Sequence, residues 1–445
     1  MSTDQSFPSG FLWGAATSAY QIEGSPLADG AGPSIWHRFS HRPGTIANGD
    51  TGDGACDHYR RFPTDLDLMV ELGLTAYRFS IAWGRVLPEG TGRVNPKGLD
   101  FYQRLVDGLL ERGIQPMLTL YHWDLPDALE TRGGWLHPDS PRWFADYAAI
   151  IFGALDDRVG LWVTLNEPWV STVCGHLNGT HAPGHRNLAE PPRVAHQLLC
   201  AHGEAVTAYR SLGRHQIGIS LNLEPQHAAT DAPVDREAAR RRHHFINRWF
   251  LDPLCQGEYP HELAAIFGTD WPRFPDADLR RISTPLDFLG VNYYSRGLVC
   301  HDPTDIPLRA RRITPTDRPC TAMDWEVYPD GLTETLVWIK QRYGDLPLYV
   351  TENGAAFDDP LPAAGKVQDP ARIDYLSSHL DALRSAMEQG VDLRGYFAWS
   401  LLDNFEWAEG YAKRFGLIHV DHATQHRTLK ASARFYREFI RKASG

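Results

Sequence analysis

The chain has 445 residues, 42% of them hydrophobic and 22% charged, enough apolar material for a large core and too much for general disorder. Its formal net charge of −11 argues against nucleic acid or an anionic membrane as the main partner, since both demand concentrated Lys and Arg. The N-terminal MSTDQSFPSG has neither a basic region nor an apolar run, and AAIIFGAL falls far short of a membrane span, so a cytoplasmic location is expected.

Short apolar, β-rich runs followed by helical periods repeat along the chain. The first run is Phe11 to Gly14, continuing to Tyr20-Gln21, and a Gly/Pro/Asp-rich loop follows over about 25–57. Thr64 and Asp67 read as a capping pair for a helix closed by Gly73. Strands are then expected over 76–81 and 117–121, separated by a helix carrying Leu99, Tyr102, Val106 and Leu109. Ser140 reads as a helix cap with Pro141 in the first helical position. In the fourth strand Leu161, Val163 and Leu165 alternate, and Pro168 stops the pairing just after Glu167. A helical stripe from Val194 to Leu212, a strand over 217–221, helical material over about 235–250 and a strand over 288–294 come next. Residues 302–324, rich in Pro, Thr and Arg, read as a long loop. After a helix over 332–343, the seventh strand ends on Glu352 before the turn signal Asn353-Gly354. Asp369-Pro370 opens a helix ending at Gly390, the eighth strand is 396–399, and a last helix runs through Phe435 and Phe439.

Eight such units predict an α/β fold, a closed (β/α)8 TIM barrel forming one domain over 1–445, with the loops at 25–57 and 302–324 shaping the pocket mouth. An open doubly wound sheet would gather its ligand at one crevice, whereas here polar and aromatic residues follow most strands. No G-x-G-x-x-G follows the first strand, and no phosphate loop occurs. The six cysteines are scattered without a C-x-x-C pair and read as free thiols of a reducing compartment. Among twenty histidines, His181 and His185 are four apart, but Ala-Pro-Gly between them denies a shared helical face; no metal or cofactor is expected.

On a barrel the strand ends converge on one rim. That rim would hold Gln21, Arg78, His122, Trp123, Asn166, Glu167, Asn292, Tyr294, Glu352, Trp399, Glu406 and Trp407. Amides and carboxylates suit the hydroxyl edge of a sugar, and indoles suit its C–H faces. Each strand-end glutamate alone could be an ion-paired or solvated residue; two of them suggest acid/base and nucleophilic work on one bond.

The motifs FLWGAATSAYQIEG, YRFSIAW, YHWDLP, TLNEP, YVTENG and WSLLDNFEWAEGYAKRFGL, in this order over nearly the whole chain, resemble family-1 glycoside hydrolases, in particular bacterial-type β-glucosidases. The resemblance implies retaining hydrolysis of a small-molecule β-glycoside, with Glu167 as acid/base and Glu352 as nucleophile. The two carboxyls are then expected about 5–5.5 Å apart. Arg78 and Tyr294 match positions that should lower the pKa of Glu352. Asn166 would contact the sugar's 2-hydroxyl, while Gln21, His122, Trp123, Asn292, Glu406 and Trp407 would hold the rest of the sugar, over Trp399. Trp169, Asn222 and Trp325 would flank the leaving group. Glu406, where phosphoglycosidase relatives lack the acid, and Phe415 argue against a 6-phosphorylated substrate. Glu167 argues against a thioglycoside. β-Galactosidase, β-fucosidase or transglycosylase activity on the same site, and a sugar-binding barrel without chemistry, are the alternatives.

Overall fold

The apolar runs become eight parallel strands in the computed structural model, which describes residues 7–443: β1 (Leu12–Ala16), β2 (Ala76–Ser80), β3 (Gln115–Tyr121), β4 (Leu161–Asn166), β5 (Gln216–Asn222), β6 (Phe288–Asn292), β7 (Leu348–Asn353) and β8 (Leu393–Trp399). Each strand pairs with its neighbours in sequence, and β1 pairs with β8 from Leu12 opposite Gly395 to Ala16 opposite Trp399, which closes the barrel. Most of the N-terminal stretch read as free of a secretion signal lies outside the described residues. Among those residues, no helix is long and apolar enough to cross a membrane.

Ala76, Met117, Leu161, Val163, Phe288, Tyr349 and Phe397 fill the barrel interior, while Leu118, Leu120, Trp162, Leu165, Ile217 and Ile219 belong to the larger core shared with the helices. Burying a large apolar side chain contributes about 1.5–3 kcal/mol, so the two-sided burial of these strands drives closure.

The simple alternation expected of the fourth strand fails at its end. Thr164 points outward to His202 (2.7 Å), Leu165 joins the outer core, and Asn166 turns inward, because the β4–β5 register shifts between Val163 and Asn166. The β7 register against β6 likewise shifts between Val350 and Glu352. A bulge re-aims the residue after it. Both glutamate-bearing strands therefore leave strict pleating just before the rim. Gly354 follows from the same crowding, since a Cβ there would lie 1.7 Å from the Trp399 carbonyl oxygen.

Several local expectations are corrected. Tyr20 and Gln21 lie in a helical turn, Ala19–Ile22, and do not extend β1. Thr64 and Asp67 are interior to a helix that already begins at His58, where the buried His58–Asp65 contact (2.8 Å) supports the earlier turn. Ser140 is itself the first residue of its helix, after Asp139. β6 stops at Asn292. The stretch 302–324 contains a strand, Ala310–Arg312, paired with Gly297–His301 in a small separate sheet. The 25–57 loop contains a helix, Ile35–Ser40, whose Ser34 cap accepts from the His37 amide (3.2 Å).

After β8 the chain is held by a buried ionic network that sequence reading did not foresee. Lys430, fully buried, donates to Asp359 (2.6 Å) and Asp403 (2.7 Å). Arg372 pairs with Asp369 (2.6 Å) and Asp359 (2.9 Å), and Arg414 pairs with Asp403 (2.9 Å). The segment carrying Glu406 and Trp407 is thereby tied to the helices Pro370–Glu388 and Ala431–Ala443.

Candidate active site

A cavity of about 300 Å³ opens at the C-terminal ends of the strands, where a TIM barrel places its functional groups. Its lining includes His122, Trp123, Glu167, Trp169, Asn222, Asn292, Tyr294, Trp325, Glu352, Trp399, Glu406, Trp407 and Phe415. Gln21, Arg78 and Asn166 form a layer behind that wall, each essentially without exposure.

Arg78, at the rim end of β2, joins the two halves of the site. Its Nη1 donates to Glu352 Oε1 (2.5 Å), its Nη2 to Asn166 Oδ1 (2.5 Å) and its Nε to Thr119 Oγ1 (3.2 Å). The Tyr294 hydroxyl donates to the second oxygen of Glu352 (2.5 Å). Asn292 Nδ2 donates to Glu167 Oε1 (2.7 Å) and to Asn166 Oδ1 (3.0 Å), while its Oδ1 accepts from Thr351 (2.6 Å). Both glutamates are thus tied to Asn166, Glu352 through Arg78 and Glu167 through Asn292. Asn166 Nδ2 donates to His122 Nε2 (3.0 Å), which assigns the ring hydrogen to Nδ1, a buried atom with no partner among the described residues.

The backbone is bent at three lining residues. Trp123, Glu167 and Trp407 have φ of 76°, 45° and 50°, in the left-handed region that bulky side chains avoid at a cost of about 1–3 kcal/mol each. Glu167 immediately precedes the short helix Pro168–Thr172, so this conformation turns the chain from β4 into the helix. The aromatic wall is continuous. His122 lies nearly parallel to Trp399 (5.8 Å, 20°) and Trp407 (6.0 Å, 21°), and the Trp123 indole donates to the Asn166 carbonyl (3.0 Å).

The electrostatics separate the two glutamates. Burial, reinforced by Glu352, lifts Glu167 well above the ordinary carboxyl range, with only Asn292 and the Arg78 charge opposing. Burial also raises Glu352, so the expected net lowering is not met. Arg78, Tyr294 and Asn292 all pull against that rise, and Glu352 remains the more acidic of the pair. Burial and the Glu352 charge push Glu406 up to about 8, so it is mostly protonated at neutral pH and its charge alone is a weak barrier to phosphate. Burial and Arg78 keep His122 neutral, well below its usual range.

Gln21 braces Glu406: its Nε2 donates to the Phe405 carbonyl (3.0 Å) and to Glu406 Oε2 (3.4 Å). Trp325 and Phe415 stand beside Tyr294, with Trp325 5.3 Å and Phe415 6.2 Å from its ring. Trp169 is held by its indole donating to the Phe245 carbonyl (3.1 Å). Of the two loops expected at the mouth, 302–324 contributes Arg312 and Met323, whereas none of 25–57 lines the cavity. Trp36 from that second loop instead supports Trp407 from behind, 4.5 Å away.

Sequence reading missed His181, Glu224, Arg242 and Arg312 in the lining. His181 sits on a loop clamped by His176 and His185, whose Nδ1 atoms lie 3.0 and 2.9 Å from one oxygen of Glu190. Against the upward push of burial, these two histidines hold Glu190 at about 2. The contact pairs His185 with a residue outside the four-residue spacing considered for a metal. Arg242 and Arg312 carry no motif; an arginine-rich helix face reads as solvated until tertiary structure folds it over a cavity.

The arrangement can hold one proton on Glu167, keep Glu352 as the paired carboxylate, and press a flat polar ring against indoles. Comparison with known proteins agrees with it. Residues 3–444 match the family Glycosyl hydrolase family 1. Beta-glucosidase A of Thermotoga maritima is 51% identical over 438 residues, covering 98% of each chain, and Beta-glucosidase A of Acetivibrio thermocellus is 46% identical over 98% of each. A bifunctional beta-D-glucosidase/beta-D-fucosidase of Bifidobacterium breve is also 46% identical over 98% of each chain. The solved structure of the Thermotoga maritima family 1 β-glucosidase in complex with glucoimidazole superposes with a TM-score of 0.95 at 50% identity, covering 99% of this chain and 100% of that one. With a family match over nearly all its length and relatives this similar end to end, the chain belongs to glycosyl hydrolase family 1.

Proposed function

We propose that the chain acts as one catalytic domain, a retaining, exo-acting β-glucosidase releasing terminal non-reducing β-D-glucosyl residues from cello-oligosaccharides and aryl or alkyl glucosides in the cytoplasm. The observation that carries this reading is the unequal setting of two buried glutamates joined through Arg78, Asn166 and Asn292. The names of the Thermotoga and Acetivibrio relatives support the substrate class. The six free cysteines are compatible with a reducing compartment.

In the first step the Glu352 carboxylate attacks the anomeric carbon while the bond to the leaving oxygen breaks and Glu167 gives that oxygen its proton. Glu352 becomes a neutral ester. The charge that raised Glu167 is then gone, its pKa falls, and it can take a proton from water. The resulting hydroxide displaces Glu352, which leaves as carboxylate with the anomeric configuration retained. Arg78 and Tyr294 stabilise that carboxylate as leaving group and as nucleophile. Asn166 holds Arg78 and His122 in place from behind the wall, and the His122 Nδ1–H, without a partner among the described residues, is free for a sugar hydroxyl. Glu406, braced from behind by Gln21, and Trp407 hold the far edge of the sugar over Trp399, and Trp169, Asn222 and Trp325 flank the departing group.

β-Fucosidase activity is the second reading, favoured by the two activities named for the Bifidobacterium breve relative. Rates on 4-nitrophenyl β-glucoside, β-galactoside, β-fucoside and 6-phospho-β-glucoside separate these, with glucoside and fucoside expected ahead. Glu352→Gln should lose on the order of 10⁴-fold in kcat. Glu167→Gln should lose less on activated aryl glucosides and show a burst of phenol followed by slow turnover, with a glycosyl-sized mass increase on the intact protein. Full activity of either variant refutes the assignment.

A further inference from the structure

In the cavity lining Arg242 stands apart from the other arginines of its helix, Pro233–His243. Arg236 pairs with Asp231 (2.9 Å), Arg240 with Glu237 (3.0 Å), and Arg241 donates to the carbonyls of Leu308 and Arg309 (both 2.9 Å). The Arg242 side chain is about one-sixth exposed and makes no hydrogen bond to any described residue; its Nε is buried without a partner. Glu224, the acid that faces it, is 3.9 Å away and already engaged, by Gln226 at Oε1 (2.9 Å) and by Arg312 at Oε2 (3.3 Å). Arg312 lies on the neighbouring short strand and also lines the cavity. Two guanidiniums therefore meet one carboxylate, with Glu409 elsewhere in the lining and Asp305 acting on Arg242 only through its field.

A guanidinium whose Nε is shielded from water and left unpaired is costly, and folding has already met that cost. An anion arriving there gains a charge-assisted contact with a preorganised donor. Trp169, Met323 and Trp325, also in the lining, supply apolar surface for an aromatic ring. We propose that Arg242 and Arg312 form a seat for an anionic leaving group, so that the enzyme favours β-glucosides whose aromatic aglycone carries a carboxylate over neutral aglycones of the same shape. The inference rests on the β-glucosidase reading and adds the chemical class of its leaving group.

The test compares 4-carboxyphenyl with 4-carbamoylphenyl β-D-glucoside, near-isosteric substrates differing in charge, with 4-nitrophenyl β-D-glucoside as reference. At low ionic strength kcat/KM should favour the carboxylate by about tenfold, the lower range for a hydrogen bond to a charged group. That ratio should fall towards one in Arg242→Gln and with added salt, fall partly in Arg312→Gln, and survive in part in Arg242→Lys. A wild-type ratio at or below one overturns the proposal, as does an unchanged ratio in Arg242→Gln. Should that variant fail to fold, the salt dependence of the wild-type ratio decides. Absence of hydrolysis of all three substrates overturns the β-glucosidase reading and this inference with it, whereas hydrolysis of the reference without a charge preference overturns this inference alone.

Discussion

At the base of the pocket, Glu352 pairs with Arg78, whose charge also acts on Glu167, and Glu406 is braced by the neutral Gln21, whereas Asp359, Asp369 and Asp403 behind the segment that follows β8 share Lys430, Arg372 and Arg414. Both groups are removed from water. Burial pushes all three pocket glutamates upward, the Glu406 carboxyl to about 8. Asp403 meets the same burial and ends below its ordinary range, because Lys430, Arg372 and Arg414 overcome it. Burial alone therefore does not set a carboxyl's state; the number of cations enclosed with it does. In the network every acid has a partner and serves cohesion. In the pocket the shortage of cations leaves protons available for transfer, which is where function is expected to depart from the most stable arrangement.

The comparison breaks most sharply at Lys430. Lys430→Met should destabilise by about 3–5 kcal/mol, since it leaves Asp359 and Asp403 short of a buried partner, and thermal unfolding should show a large fall in Tm. Aryl glucoside hydrolysis by the folded fraction should persist at low temperature. A smaller effect is expected where the pocket's few donors are thinned further. Tyr294→Phe removes a hydrogen bond that favours ionised Glu352, so the acidic limb of the pH–kcat/KM profile should move to higher pH and kcat/KM should fall about tenfold. A limb that stays in place would argue that Tyr294 does not tune the nucleophile. The smallest effect concerns Glu406. Its folded pKa lies above its unfolded one, so the folded state binds the extra proton and its stabilising share is lost as pH rises towards 8. Glu406→Gln removes that loss, so its Tm relative to wild type should be higher at pH 8 than at pH 5, by about 2 °C. An equal difference at both pH values would refute the raised pKa.

The two acid clusters were unequally legible in sequence. Glu167 and Glu352 each end an apolar run at a breaker, Pro168 or Asn353-Gly354, and local signals place them on one rim once eight units are counted. The aiming was hidden. Leu161, Val163 and Leu165 alternate perfectly, and only pairing with β5 reveals that the pleat slips before Asn166. Asp359, Asp369, Arg372, Asp403, Arg414 and Lys430 are single charges spread over loops and helix starts, and Asp369 reads merely as a helix opening before Pro370. Partners that distant in sequence leave no period to detect. Arg242 was hidden for the same reason, within a stretch read only as helical, and Arg312 lies in the loop expected at the pocket mouth without a signal that singles it out.

The seam where β1 meets β8 also fixes when the pocket comes into being. Gln21 follows the first strand and Glu406 follows the last, and the two touch only across that closure. During translation the early strand must wait, one edge unsatisfied, for nearly the whole polypeptide to emerge. Sugar recognition is therefore among the last properties the nascent protein acquires, and a chain halted before β8 has no half-working pocket to offer.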